Sequence, residues 1–276
     1  MCKAGMAPQP CALVCTKLLQ LHCCRVHLAH LLLPAVAQLM SNSTSNTRTA
    51  VTLSDFWWTA PGELVEPANE QRGGISGVYR IVDPHTGVLH YVKRQSNHLF
   101  RDLSHPLPRP TLLREWKNMQ RCAALGVPTA QLVFFDMRHD EKGWHAVLVT
   151  RDLAGYVSLE NAIRQGSLTP DQQSTALVSV AHALLPLHKA RRKHGHLYPK
   201  EVFVNMSTTP PRTAVVDWEL SRYRFSRSKA AETDLRRLLR SLVQMGLPRA
   251  KLAAVVDLYR EHGIGLPHNF IETCTR

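Results

Sequence analysis

The chain is short of negative charge, and the shortage is uneven. Asp plus Glu number 21 against 34 Lys plus Arg, a formal net charge of +13 over 276 residues. No acidic residue occurs before Asp55, and only Lys3, Lys17, Arg25 and Arg48 carry fixed charge ahead of it. Cysteine is scarce in the body. Cys2, Cys11, Cys15, Cys23 and Cys24 crowd the start, leaving Cys122 and Cys274 beyond it. Two isolated thiols build no disulfide framework, so the body reads as a cytoplasmic chain. Long apolar runs are missing too. A spanning helix needs about 20 apolar residues, and Lys17, His22, Arg25, His27 and His30 interrupt the apolar stretches. The same interruptions, without a small-residue cleavage site, argue against a secretory signal. No solenoid period is apparent, and the composition excludes collagen-like, coiled-coil and wholly disordered classes.

What is present divides in two. Residues 1–54 read as a low-order extension. Cys11, Cys15, Cys23, Cys24 and His22 do not match the paired ligand spacings of zinc sites. Met40 opens the polar tract Ser41–Thr49, which marks it as an alternative start of the chain. The excess of cations favours anionic partners such as nucleotides, phosphorylated glycans, nucleic acid or an acidic membrane surface.

From Asp55 the order of elements is legible. Gly62–Ala68 and Val78–Asp83 predict short strands around a glycine-rich turn, Gln71–Gly77. Asp83-Pro84-His85-Thr86-Gly87 predicts a hairpin connection to a third strand, Val88–Arg94. Pro106, Pro108 and Pro110 predict a break in regular structure. Leu112, Trp116, Met119 and Ala123 recur at helical spacing within Thr111–Leu125, and Gly126 ends that helix. Gln131–Met137 and His145–Arg151 predict a second strand pair. Beyond, Asp171–Ala190 reads as a helix cut short by Pro186. Two short strands follow, Val202–Met206 and Thr213–Trp218. Amphipathic helices are expected over Thr233–Met245, with Thr233 as N-cap, and over Arg249–His262. The result is an α+β chain in two lobes, a β-rich one at 55–152 and a helical one at 153–276.

Five features carry chemistry. Gly73-Gly74-Ile75-Ser76-Gly77 offers backbone N–H groups that approach phosphate closely. Lys93 shares a strand face with Leu89 and Tyr91. Glu115 falls on the inward stripe of its helix, where a carboxylate is costly unless a cation meets it; Lys93 is the natural partner. His194-Gly195-His196-Leu197-Tyr198-Pro199-Lys200-Glu201 follows a long apolar helix. Asp217 closes the apolar strand Ala214-Val215-Val216, a position suited to holding a hard cation with nucleotide phosphates.

This order of parts resembles that of protein-kinase-like enzymes. Longer strings narrow the match. Phe56-Trp57-Trp58, Glu66-Pro67-Ala68-Asn69, Tyr91-Val92-Lys93-Arg94-Gln95-Ser96-Asn97-His98, Arg114-Glu115-Trp116-Lys117-Asn118 and His194-Gly195-His196-Leu197-Tyr198-Pro199-Lys200 resemble the bacterial lipopolysaccharide kinase family of Kdo and heptose kinases, nearest its InaA-like branch. The resemblance runs from about Asp55 to Leu242.

It implies a protein-kinase-like fold with a small β-rich N-lobe and a larger helical C-lobe. It further implies ATP and Mg2+ as cofactors, and phosphoryl transfer to an alcohol, a sugar hydroxyl of the lipopolysaccharide inner core. Gly73, Gly74, Ser76 and Gly77 would cover the phosphates; Lys93 would pair with them, oriented by Glu115. Asp217 would hold the metal, Val149–Leu153 would flank the adenine, and Tyr198 and Lys200 would contact phosphate or acceptor. One departure stands out. Kinases keep an Asp where His196 stands and an Asn where Glu201 stands. An imidazole can accept a proton, and Glu201 can still ligate Mg2+, so His196 and Lys93 are the expected catalytic pair.

The departure keeps a second reading open, a catalytically weak or inactive nucleotide-binding protein with a stress-related role. The glycolipid acceptor suggests peripheral contact with the cytoplasmic face of the membrane. A third reading, nucleic-acid binding through Lys189–Lys193, lacks any accompanying motif, and no nucleic-acid partner is expected.

Overall fold

The structure is a computed structural model that describes residues 53–71 and 73–274. The expectations for the N-terminal extension, Met40 and the early cysteines lie outside the described residues. The chain opens with helix α1, Leu53–Thr59. An antiparallel sheet follows, made of β1 (Glu63–Leu64), β2 (Asn69–Gln71), β3 (Gly74–Val82) and β4 (Leu89–Ser96). A side hairpin of β5 (Leu99–Asp102) and β6 (His105–Pro110) leads into helix α2, Thr111–Ala124. Strands β7 (Leu132–Asp140) and β8 (Gly143–Arg151) complete the sheet in the order β1-β3-β4-β8-β7, with β2 also on β3.

The second part is helical. It contains β9 (Val157–Ser158), α3 (Leu159–Arg164), α4 (Pro170–Lys189) and β10 (Arg192–Lys193). Strands β11 (Val202–Asn205), β12 (Arg212–Val215) and β13 (Arg222–Tyr223) come next. Helices α5 (Arg227–Gln244), α6 (Ala253–Glu261) and α7 (Phe270–Cys274) close the chain. Among the described residues no helix is long and apolar enough to cross a membrane.

Register explains what each sheet face does. Val78, Lys93 and Leu148 stand opposite one another across β3, β4 and β8, so they share a face. The neighbouring row, Tyr79, Val92 and Val149, points the other way. Val92 and Val149 there pack with Trp57 and Ile81 under α1. Arg94 ties α1 to the sheet by donating to the carbonyls of Trp57 and Ala60. The larger core lies in the helical part around α4 and α5 and reaches Leu112, Met119 and Leu148.

Several expectations are corrected. The glycine-rich turn is mostly strand: Gly74, Ser76 and Gly77 lie within β3, and Gly73 turns, at φ +78°. Pro106, Pro108 and Pro110 do not end regular structure, because alternate prolines aim their missing N–H groups at one edge of a two-stranded ribbon. Helix α4 runs through Pro186 to Lys189, the proline lying in its last turn. Helix α5 starts six residues before Thr233, capped by Ser226 Oγ, which accepts from the Lys229 N–H; Thr233 Oγ1 instead donates back to the Lys229 carbonyl. The strand expected to reach Trp218 ends at Val215.

Candidate active site

The cleft is built from the shared sheet face outward. Val78, Lys93 and Leu148 line one wall of a cavity of about 490 Å³, and Glu115, Glu201 and Asp217 line it from the other elements. Lys93 Nζ donates to Glu115 Oε2 at 2.8 Å and stands 3.9 Å from Asp217 Oδ1. Burial works against the charge on Lys93, but Glu115 and then Asp217 outweigh it and raise its pKa. Glu115 is buried on the apolar stripe of α2, and this desolvation is the main pressure on it. The ammonium is therefore held charged by two carboxylates from different parts of the chain.

Asp217 sits just past β12 in the left-handed region, at φ 64°. Such a conformation is tolerated by Asp and persists where neighbours over-determine it. Val216 N–H donates to the Glu201 carbonyl at 3.0 Å. The Val216 carbonyl accepts from His194 Nε2 at 2.9 Å. Because a carbonyl only accepts, Nε2 carries the proton and Nδ1 accepts from the His196 N–H at 3.3 Å. Asn118 Nδ2, from α2, holds the carbonyls of Trp218 and Ser221.

His196, Glu201 and Asp217 converge, with one donor atom from each lying within 4.8 Å of the others. His196 Nδ1 is 3.6 Å from Glu201 Oε1 and 3.5 Å from Asp217 Oδ2. His196 Nδ1 and Glu201 Oε2 are buried without a hydrogen-bond partner. Burial, followed by the charge of Asp217, pushes the Glu201 carboxyl up to about 7 despite Lys200 beside it. Two converging carboxyl groups, one of them with a buried oxygen that lacks a partner, suit a hard divalent cation.

The remaining expected residues divide. Ser76, Gly77 and Lys200 line the cleft, whereas Gly73 and Gly74 are not among its lining residues. Gly74 packs against the backbone of Asn97 instead, where an added Cβ would collide. From the stretch expected beside adenine, Thr150 lines the cleft while Val149 points into the α1 side of the sheet. Tyr198 lies edge-on to His196, ring centroids 4.8 Å apart.

Sequence reasoning overlooked Asp234. It is wholly buried on α5 and accepts from the N–H groups of His194 (2.5 Å) and Gly195 (2.9 Å) and from His188 Nε2 (3.1 Å). His188 Nδ1 meets Tyr259 Oη at 2.6 Å. The signal was available, because Asp234 falls on the stripe Ala230, Ala231, Leu235, Leu238 and Leu242, as Glu115 does on its own helix. Gly195, at φ +93°, allows the loop to turn where a Cβ would strike the Leu220 carbonyl.

Residues 55–259 match the lipopolysaccharide kinase (Kdo/WaaP) family. The chain belongs to that family. Protein InaA of Escherichia coli (strain K12) is 33% identical over 208 residues, covering 74% of this chain and 94% of InaA. The solved structure titled "WaaP in complex with acyl carrier protein" superposes with a TM-score of 0.55 at 21% identity, covering 78% of this chain and 88% of that one. That likeness establishes the protein-kinase-like fold, with its β-rich first part and helical second part. As a lipopolysaccharide kinase family member, the chain presents its cleft between those two parts.

Proposed function

We propose that the protein is an ATP-dependent phosphotransferase acting on a sugar hydroxyl of the lipopolysaccharide inner core. Residues 55–152 and 153–276 are its two lobes, and it works from the cytoplasm. One observation carries the reading: Lys93, Glu115 and Asp217, distant in sequence, meet within 4 Å contacts at one end of a single cleft. In this reading Lys93 pairs with the nucleotide phosphates, Glu115 orients it, and Ser76 and Gly77 flank the phosphates from β3. Asp217 and Glu201 would hold Mg2+, which neutralises charge on the phosphates when bound.

With Nδ1 of His196 turned to the two carboxylates, Nε2 is the nitrogen for the acceptor. The acceptor oxygen forms a bond to the γ-phosphorus while the bond to the β-bridging oxygen breaks. ADP leaves with that electron pair, and the hydroxyl proton passes to His196. The Nδ1 side of that ring faces Glu201 and Asp217. Phosphate incorporation into isolated inner-core acceptor tests the reading, with Asp217→Asn as control. Incorporation no greater than the control sinks it.

The occupant of position 196 favours a second reading. Kinases of this fold place a carboxylate there, and an imidazole lacks its fixed negative charge. The alternative is a nucleotide-binding protein without transfer, and ATP binding without phosphate incorporation would select it.

A further inference from the structure

A second cavity lies outside the nucleotide cleft, on one face of α5. Lys229, Arg236, Arg237 and Arg240 line a space of about 570 Å³ together with Glu232 and Tyr198. Their helical spacing puts the four cations on one side of the helix within three turns. A single carboxylate opposes them. Glu232 uses one oxygen on Lys229 Nζ at 2.9 Å and the other on Arg236 Nη2 at 3.0 Å. Arg237 donates to the Gly195 carbonyl and lies over the Tyr198 ring. Arg240 Nε reaches the Cys274 carbonyl at 3.0 Å. The cationic heads are thus fixed in place by the protein itself, and a concave wall with excess positive charge concentrates anions.

Tyr198 joins this groove to the site of transfer. Its ring lines the groove and also meets His196 edge-on. A molecule seated on α5 is therefore one side chain away from His196, and the groove shares no lining residue with the Lys93 cleft. Nucleotide and acceptor must approach the transfer point from different sides, and the sheet side is taken by the Lys93 cleft. Guanidinium forks match phosphate oxygens in pairs.

We propose that the α5 groove is the acceptor subsite, and that it selects acceptors already carrying a phosphate group near the hydroxyl to be phosphorylated. The acceptor role rests on the phosphotransferase reading above; the selection for phosphate rests on the groove alone. The class of reaction that supplies the substrate is then an earlier phosphorylation of the same glycan.

Calorimetric titration of the full chain tests this. The probe is the oligosaccharide released from inner-core lipopolysaccharide by deacylation, before and after phosphatase treatment. At low ionic strength the wild type should bind the phosphorylated form about tenfold or more tighter. Arg236→Gln with Arg240→Gln should erase that preference while leaving ATP affinity unchanged. Both arginines also touch α7, through Phe270 and Cys274, so Lys229→Gln serves as a second variant. It should cut the preference about threefold without moving the melting temperature. Equal binding of the two oligosaccharides by the wild type, or a preference that the variants keep, overturns the proposal. Normal ATP binding with no phosphate preference removes the groove and spares the kinase reading. An intact preference without ATP binding does the reverse.

Discussion

The Nζ of Lys93 donates to Oε2 of Glu115 across 2.8 Å, joining the sheet to helix α2 in the wall of the cleft. Neither partner is stable there alone, since an unpaired buried charge is expensive. Lys93→Met should weaken ATP binding roughly tenfold or more, the scale of one charge-assisted hydrogen bond. Glu115→Gln should weaken it less, about threefold, because it acts through Lys93. Isothermal titration with ATP measures both, and an unchanged dissociation constant for Lys93→Met would remove Lys93 from the phosphate site.

Asp217 faces two groups at once, Lys93 at 3.9 Å and His196 at 3.5 Å. If it anchors a divalent cation, the gain in ATP affinity on adding Mg2+ should vanish in Asp217→Asn, while metal-free ATP binding persists. Glu201→Gln should diminish the gain rather than abolish it. Titrations with and without Mg2+ decide this. A full Mg2+ effect in Asp217→Asn would place the metal elsewhere.

His196 separates the two readings of function. If it is the base, His196→Ala should lower turnover of inner-core acceptor about a hundredfold, the smaller end of general-base contributions, with ATP affinity retained. If the site has lost its base, the wild type should give no more product than Asp217→Asn. In that case His196→Asp should bring turnover back. Rates that ignore both substitutions would exclude His196 from the chemistry.

The legible parts of the fold are those where periodicity and chemistry agree. Strands β4 and β8 and helix α2 announce themselves through β-branched or apolar spacing, and Glu115 through its conflict with an apolar stripe. The misread parts have tertiary causes. The glycines at 74 and 77 serve close strand packing within β3 rather than an open loop. Pro186 lies three residues before the end of α4, and the last turn still closes because the Ala190 N–H donates to the Pro186 carbonyl at 3.1 Å. Ser226, not Thr233, caps α5, because the chain arriving from β13 starts the helix earlier. In the run Lys189–Lys193, Arg192 is drawn inward by Asn118 Oδ1 at 3.0 Å. A charge run seen in sequence carries no hint of that partner, which is far away along the chain.

Asp234 is the buried carboxylate that fixes the loop bearing His196. Burial presses its pKa upward, but His188 first, then His194 and the Gly195 N–H, more than compensate and leave it below the ordinary Asp value. A depressed folded pKa means that its contribution to stability is complete above the unfolded value of about 3.9. The contribution is lost as pH falls through the folded pKa. Asp234→Ala strands the N–H groups of His194 and Gly195 and should cost about 3 kcal/mol at neutral pH. For a domain of this size that is roughly a 6–12 °C fall in melting temperature. The gap between wild type and variant should hold from pH 8 to about 5 and close steadily on further acidification. Thermal melts across that range check the sign. A gap that widens in acid would mean that Asp234 is protonated in the folded protein, and that the loop is held by a neutral acid.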